Sequence, residues 1–155
     1  MINVSHEDAE AYCAWLREAT KASYRLPTEA EWEYSCRAGT TSAYAFGDTI
    51  SEQQANFSVN VGKTTEVGAY PANAWNLHNM RGNVWEWCAD ARRAYQKKRV
   101  TDPEGSGAER VLRGGSWFSY ARFVRAAFRY ANAPGYRYND VGFRCARVQE
   151  PAGGR

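Results

Sequence analysis

Histidine is nearly missing from this chain: His6 and His78 are the only two among 155 residues. They stand far apart, so a metal centre built from several imidazoles is excluded. Methionine is equally scarce, with two residues. No apolar run approaches the roughly 20 residues of a membrane-spanning helix. Met1 to Asp8 turn acidic at once, without a basic start and an apolar stretch, so no signal peptide is visible and a cytoplasmic protein is expected. Neither charge dominates: 20 Lys+Arg against 17 Asp+Glu leave a net +3, too little to imply nucleic acid by itself. Cys13, Cys36, Cys88 and Cys145 are scattered, which excludes a zinc ribbon or a thioredoxin-like pair. Four reduced thiols are therefore expected, with one or two disulfides open for an exported protein.

What is present in quantity is aromatic. Six Trp, ten Tyr and six Phe are more than a core needs, so the rest are either buried in unusual ways or displayed for binding. The single domain expected over residues 1–155 is α+β. Ser5 to Thr20 reads as an amphipathic helix: Ser5 is an N-cap with Asp8 three residues on, and Ala9, Tyr12, Cys13 and Leu16 form an apolar stripe. A second helix over residues 28–38 is signalled by Pro27, a Thr28-x-x-Glu31 capping box and a stop near Gly39. Residues 40–80 carry Gly, Asn, Thr and Pro punctuation and read as loops with a few short strands. Residues 83–88, 111–117 and 141–148 read as strands, the last as one continuous strand, and Asp102-Pro103-Glu104-Gly105 reads as a turn. Short antiparallel strands are expected, with Trp85, Trp87, Trp117 and Phe143 largely buried. The tail from Pro151 to Arg155 is expected to fray.

Four stretches carry a resemblance. Arg25-Leu26-Pro27-Thr28-Glu29-Ala30-Glu31-Trp32-Glu33-Tyr34, Asn79-Met80-Arg81-Gly82-Asn83-Val84-Trp85-Glu86-Trp87, Arg113-Gly114-Gly115-Ser116-Trp117 and Gly142-Phe143-Arg144 resemble, in order, the motifs of the formylglycine-generating-enzyme (sulfatase-modifying factor) family. The resemblance covers about residues 3–148 and implies a C-type-lectin-like fold, rich in loops. Members carry more sequence ahead of this point, so a trimmed domain is expected. The family's oxidase uses two cysteines after the Gly-Gly-Ser-aromatic motif. Counted back from Gly142-Phe143-Arg144, those positions fall near Ala121 and Ala126, so no copper site and no thiol oxidation are expected. The related sulfoxide synthases hold iron through a histidine cluster, which two distant histidines do not supply. The resemblance also implies a structural calcium, held by the Asn79 side chain, the Gly82 and Val84 carbonyls and the Glu86 carboxylate, all hard oxygen donors. The competing reading is that Asn79 and Asn83 shape turns while Glu86 forms a buried ion pair with an arginine. Both stay open at this point.

Residues 118–139 stand apart. They hold seven aromatics, four arginines and no acid. Tyr130, Tyr136 and Tyr138 are flanked by Pro, Gly, Asn and Arg, which is loop chemistry, and tyrosine mixed with Ser and Asn is the composition of an antibody-like paratope. Phe128 and Val124 read as core. The segment is similar to the C-terminal repeat of the variable proteins of diversity-generating retroelements, which runs from Gly-Gly-Ser-Trp to Gly-Phe-Arg. That resemblance implies template AAC codons mutated at adenines, which reach Phe, Tyr, Ser, Ala and Asn but never Lys, Glu, Gln, Met or Trp. Phe118, Ser119, Tyr120, Phe123, Tyr130, Ala131, Asn132, Ala133, Tyr136, Tyr138 and Asn139 are all reachable, and Arg122, Arg125, Ala126, Arg129, Pro134 and Arg137 read as fixed scaffold between them. The expected function is a non-catalytic domain that binds a protein ligand through Phe118, Ser119, Tyr120, Phe123, Tyr130, Asn132, Tyr136, Tyr138 and Asn139. The alternatives are a formylglycine-generating-enzyme-like domain acting in or beside an enzyme, and nucleic-acid binding by the Arg and Tyr set. The latter is disfavoured by the small net charge and the absence of lysine from the segment. Lys97-Lys98-Arg99 reads as a solvated basic run.

Overall fold

The computed structural model describes residues 1–95 and 105–149. Helix α1 (His6–Thr20) starts as its capping chemistry dictates: the Ser5 hydroxyl accepts from the Asp8 amide and the Asp8 carboxylate accepts from the Ser5 amide. Strand β1 (Ser23–Arg25) follows, then α2 (Glu29–Arg37), where Thr28 and Glu31 make the same reciprocal box. Arg25 forks onto Glu31, which ties the entering chain to that cap. Helix α2 ends with Ala38 in the left-handed region, one residue before Gly39.

The remaining elements are strands β2 (Trp85–Ala91), β3 (Arg110–Arg113), β4 (Tyr130–Asn132), β5 (Val141–Phe143) and β6 (Ala146–Val148), with a one-turn 3-10 helix at Ala121–Phe123. One sheet has the order β4-β3-β2-β5; the other pairs β1 with β6. Several findings depart from the expectations. The stretch 141–148 is two strands in two sheets, because Arg144 turns inward between them. The β2–β5 pair is parallel, so the main sheet is mixed rather than antiparallel. Residues 40–80 contain only isolated bridges, Tyr44 with Gly47 and Asn56 with Gly82, and no strand. Tyr130–Asn132, expected as loop, is the edge strand β4. Among the described residues no helix is long and apolar enough to cross a membrane. Lys97-Lys98-Arg99, the Asp102-Pro103-Glu104 turn and the tail from Pro151 lie outside the described residues.

The core has three parts. Ala9 and Cys13 of α1 pack on Leu26, Trp87, Leu112 and Val141. Trp32 and Cys36 of α2 pack on Met80, Cys88, Val111 and Ala126. Tyr44, Ala55, Phe57 and Val124 close the loop half. Trp87 is fully buried, whereas Trp85, Trp117 and Phe143 are half-buried, a correction to the expected core. Buried charge runs through the same layers: Arg113 sits between Glu33 and Glu29, and Arg129 forks onto Glu29.

Candidate functional site

The Gly114–Gly115 pair positions the display segment. Both residues have positive φ, 93° and 72°, and a Cβ on Gly115 would lie 2.5 Å from Val124 Cγ1. The strand therefore stops at Arg113, and the chain doubles back over the sheet. The turn that follows is held by polar contacts: Ser119 Oγ accepts from the Ser116 amide at 3.0 Å, and Ser116 Oγ donates to Asp140 Oδ2 at 2.7 Å.

This geometry brings Phe118, Ser119, Tyr120, Phe123 and Tyr130 together around one hollow of about 370 Å³. Trp85, Ser116, Phe128 and Asp140 complete it. The rings form a chain of contacts: Tyr130 to Trp85 at 5.3 Å, Trp85 to Phe128 at 6.0 Å, Phe128 to Phe123 at 4.9 Å and Phe123 to Tyr120 at 6.3 Å. Phe118 and Tyr120 are exposed, at 64% and 63%, as are Tyr130 and Tyr138. Ser119 is buried and holds the floor rather than the surface, which corrects its expected exposure. Tyr136 and Tyr138 stack on each other at 6.2 Å. Tyr136 is half-buried against the core of Ala9, Cys13, Leu26, Trp87, Leu112 and Val141, which corrects its expected exposure, and neither ring of this pair lines the hollow. Asn139 is exposed, and Asn132 is half-buried with its own Oδ1 accepting from the Ala133 amide; neither lines the hollow.

The segment's arginines divide. Arg129 forks onto Glu29, and Arg137 forks onto Asp8 at 2.8 and 2.9 Å, so both are scaffold. Arg125 donates to the Arg122 carbonyl, and Arg122 lies over the Tyr120 and Phe123 rings at 5.7 and 4.6 Å. Sequence reasoning missed Trp85, Phe128 and Asp140 as lining residues. A signal existed for Asp140: a segment with no acid is followed at once by one.

A second constellation lies at Asn79 to Glu86. Asn79 and Asn83 both adopt positive φ, and Gly82 passes so close to Asn56 that a Cβ would sit 2.1 Å from its carbonyl oxygen. Glu86 is buried and accepts from Arg144 Nε at 2.6 Å, Arg144 Nη2 at 2.7 Å and Trp32 Nε1 at 2.7 Å. The Gly82 carbonyl accepts from the Val84 amide, and Arg144 also reaches the Asn79 carbonyl at 3.4 Å. The Asn79 amide nitrogen is buried without a partner among the described residues. Turned by half a rotation, that amide would present an unpaired oxygen, which suits a cation. The only carboxylate of the set is already matched by Arg144.

Comparison with known proteins agrees with this architecture. The family profile "Sulfatase-modifying factor enzyme 1-like domain" matches residues 1–149. The chain is 39% identical over 154 residues to the serine/threonine-protein kinase pkn1 of Chlamydia caviae, covering 95% of this chain and 24% of that protein. It is 39% identical over 172 residues to the formylglycine-generating enzyme of Mus musculus, covering 97% of this chain and 45% of the enzyme. The structure of Treponema denticola variable protein 1 superposes with a TM-score of 0.88 at 30% identity, covering 94% of this chain and 69% of that one. The chain belongs to the family of sulfatase-modifying factor enzyme 1-like domains, with the C-type-lectin-like variant of the α+β fold. It spans about a quarter to half the length of these curated relatives.

Proposed function

We propose that this domain is a non-catalytic binding module whose face around residues 118–139 recognises a protein ligand, as a variable protein of a diversity-generating retroelement does. The observation that carries the reading is the hollow itself: exposed Phe118, Tyr120 and Tyr130 surround it, while Ser116, Ser119 and Asp140 hold its floor. An exposed aromatic patch of this kind is tolerable on a monomer mainly where it binds. The match to a variable protein supports it further. The test is a display library randomised at Phe118, Tyr120, Phe123, Tyr130 and Tyr138, selected against an unrelated protein such as lysozyme. Most members should fold, and binders should emerge. A library that mostly unfolds, or folds and never yields a binder, refutes the reading.

Relatives named as enzymes favour a second reading, a domain acting in or beside an enzyme. Against it, Ala121 and Ala126 are not thiols. Cys13 and Cys145, whose sulfurs lie 3.6 Å apart, are not an activated pair either: burial pushes the Cys13 thiol up to about 12. Turnover of a thiol substrate with copper or iron would restore it. Nucleic acid is the least supported partner; a steep salt dependence of binding would favour it. A structural calcium at Asn79, Gly82, Val84 and Glu86 belongs to the proposal as a stabilising ion. The orphan amide of Asn79 supports it, and the Arg144–Glu86 pair competes with it.

A further inference from the structure

The floor of the hollow carries a charge that its walls do not explain. Asp140 is 9% exposed and lines the cavity. Its Oδ2 accepts from Ser116 Oγ at 2.7 Å, while Oδ1 has no hydrogen-bond partner among the described residues. No described Lys, Arg or His forms an ion pair with it. Buried Glu29 and Glu86, by contrast, are met by arginines, and buried Asp90 accepts from the Glu29 amide. Arg122, the one segment arginine beside the rim rings, lies over Tyr120 and Phe123. The free oxygen opens into the hollow, so a cation entering there meets a carboxylate already held by Ser116.

The walls favour the same visitor. Six aromatic rings line the hollow, and ring faces attract cations. Among the described residues the only charged acceptor of the lining is the Asp140 carboxylate, with one free oxygen; the rest are the hydroxyls of Ser116, Ser119, Tyr120 and Tyr130. A guanidinium brings a planar fork suited to two carboxylate oxygens, of which one is already taken by Ser116, whereas an ammonium is a compact charge on a stem that tolerates an apolar surround.

We infer that this hollow is a receptor for an alkylammonium group, a lysine side chain projecting from the protein ligand, with Asp140 as counter-ion and the rings of Phe118, Tyr120, Tyr130 and Trp85 as cage. The inference rests on the binding-module reading and names the chemistry of its partner. It also separates the floor from the rim. The ring positions vary the shape that is recognised, and Asp140 fixes the charge.

The probe is n-butylammonium, titrated into the intact chain and followed by amide and indole NMR shifts of Trp85, Tyr130 and Asp140. Saturable shifts confined to the hollow are expected, with a Kd on the order of 1–10 mM. Neutral n-butanol should bind about tenfold more weakly, and n-butylguanidinium at least about threefold more weakly. Asp140→Asn should lower butylammonium affinity about tenfold and leave that for butanol unchanged. Equal binding of butanol, tighter binding of the guanidinium, an unaffected D140N or no shift at all overturns the inference. Should D140N fail to fold, Phe118→Ala serves instead: it removes an exposed wall and should weaken butylammonium about threefold. Unchanged affinity in that variant overturns the inference equally. A hollow that refuses the ammonium while the display library still yields binders refutes the cation receptor alone. Failure of the library refutes the binding module.

Discussion

Glu86→Gln separates the two readings of the Asn79–Glu86 loop. The wild-type carboxylate is 6% exposed and takes three donors, two from Arg144 and one from Trp32. The amide keeps the shape and one acceptor but removes the charge, so Arg144 is left beside a neutral group in a buried site. Breaking one partner of a buried pair costs about 3–5 kcal/mol, because the other charge stays uncompensated. For a domain of this size that is a fall in Tm of roughly 6–20 °C. The assay is urea denaturation followed by tryptophan fluorescence, run with EDTA and with calcium. With the ion pair alone, wild type should show no response to EDTA, and E86Q should lose the full amount in both buffers. With a resident calcium, EDTA should lower the stability of wild type, and E86Q should lose that response. A second variant, Glu86→Gln with Arg144→Met, should recover much of the loss, since no buried charge then remains unpaired. A loss below about 1 kcal/mol in E86Q with EDTA present refutes the claim that this pair holds β2 to the β5–β6 turn.

Three further outcomes are expected. Arg81 is 4% exposed, its Nε and Nη2 have no partner among the described residues, and burial lowers its pKa; Arg81→Met should therefore raise the urea midpoint by about 1–3 kcal/mol of stability, and a loss would show a hidden counter-ion. His6 is buried against Trp87 with Nε2 at 3.1 Å from the Cys88 carbonyl, and burial first lowers its pKa below 6.5 despite the opposing charge of Glu10. The unfolded chain thus takes up the proton more readily, so this contribution is intact above about pH 6.5 and is lost as pH falls towards the folded value. His6→Gln should flatten the slope of stability between pH 7 and 5, and an unchanged slope would refute it. Cys13 and Cys36 are pushed up to about 12 and 11, and Cys88 well above 9, all by burial. Iodoacetamide at pH 7.5 should label these three at least about a hundredfold more slowly in the folded protein than in urea, and rapid labelling would contradict their burial.

The helices were legible because their signals are local. A capping box needs four residues and no partner, and both Ser5–Asp8 and Thr28–Glu31 form as read. The family motifs were legible for a similar reason: Gly82 and Gly115 stand where a Cβ would strike Asn56 or Val124. Alternation misled where an inward charge interrupts it. Phe143, Arg144 and Cys145 continue an apparent strand, but Arg144 swings to Glu86, 58 residues away in sequence, and splits the run into β5 and β6. Burial of the tryptophans was half legible. Trp87 faces α1 and its indole donates to the Val4 carbonyl, while Trp85 faces the hollow and stays half-buried. The rim of the hollow was partly legible in composition: Phe118 and Tyr120 are exposed as expected, whereas Tyr130 lies in strand β4 and Tyr136 packs on the core. Its floor was not, because Asp140 meets Ser116 only after two turns of chain that composition does not encode.

Buried ion pairs tie the segment that carries the exposed rings to the rest of the fold. The segment from Gly114 to Phe128 leaves the sheet at Arg113 and returns at Arg129, and both arginines reach the same carboxylate, Glu29 at the start of α2. Farther on, Arg137 is pinned to Asp8 in the first turn of α1, and Arg144 to Glu86 in β2. Each anchor lies outside the ring positions that line the hollow. Closing a loop at its base carries an entropy cost set by the loop's length and not by the side chains of its interior. Substitutions at the exposed rings of Phe118, Tyr120 or Tyr138 should therefore cost little stability, whereas a change at Glu29 would release two arginines at once and loosen the segment from beneath. The acids in the first turns of the two helices thus serve as more than caps and dipole partners. They fix the ends of the segment that carries the exposed rings.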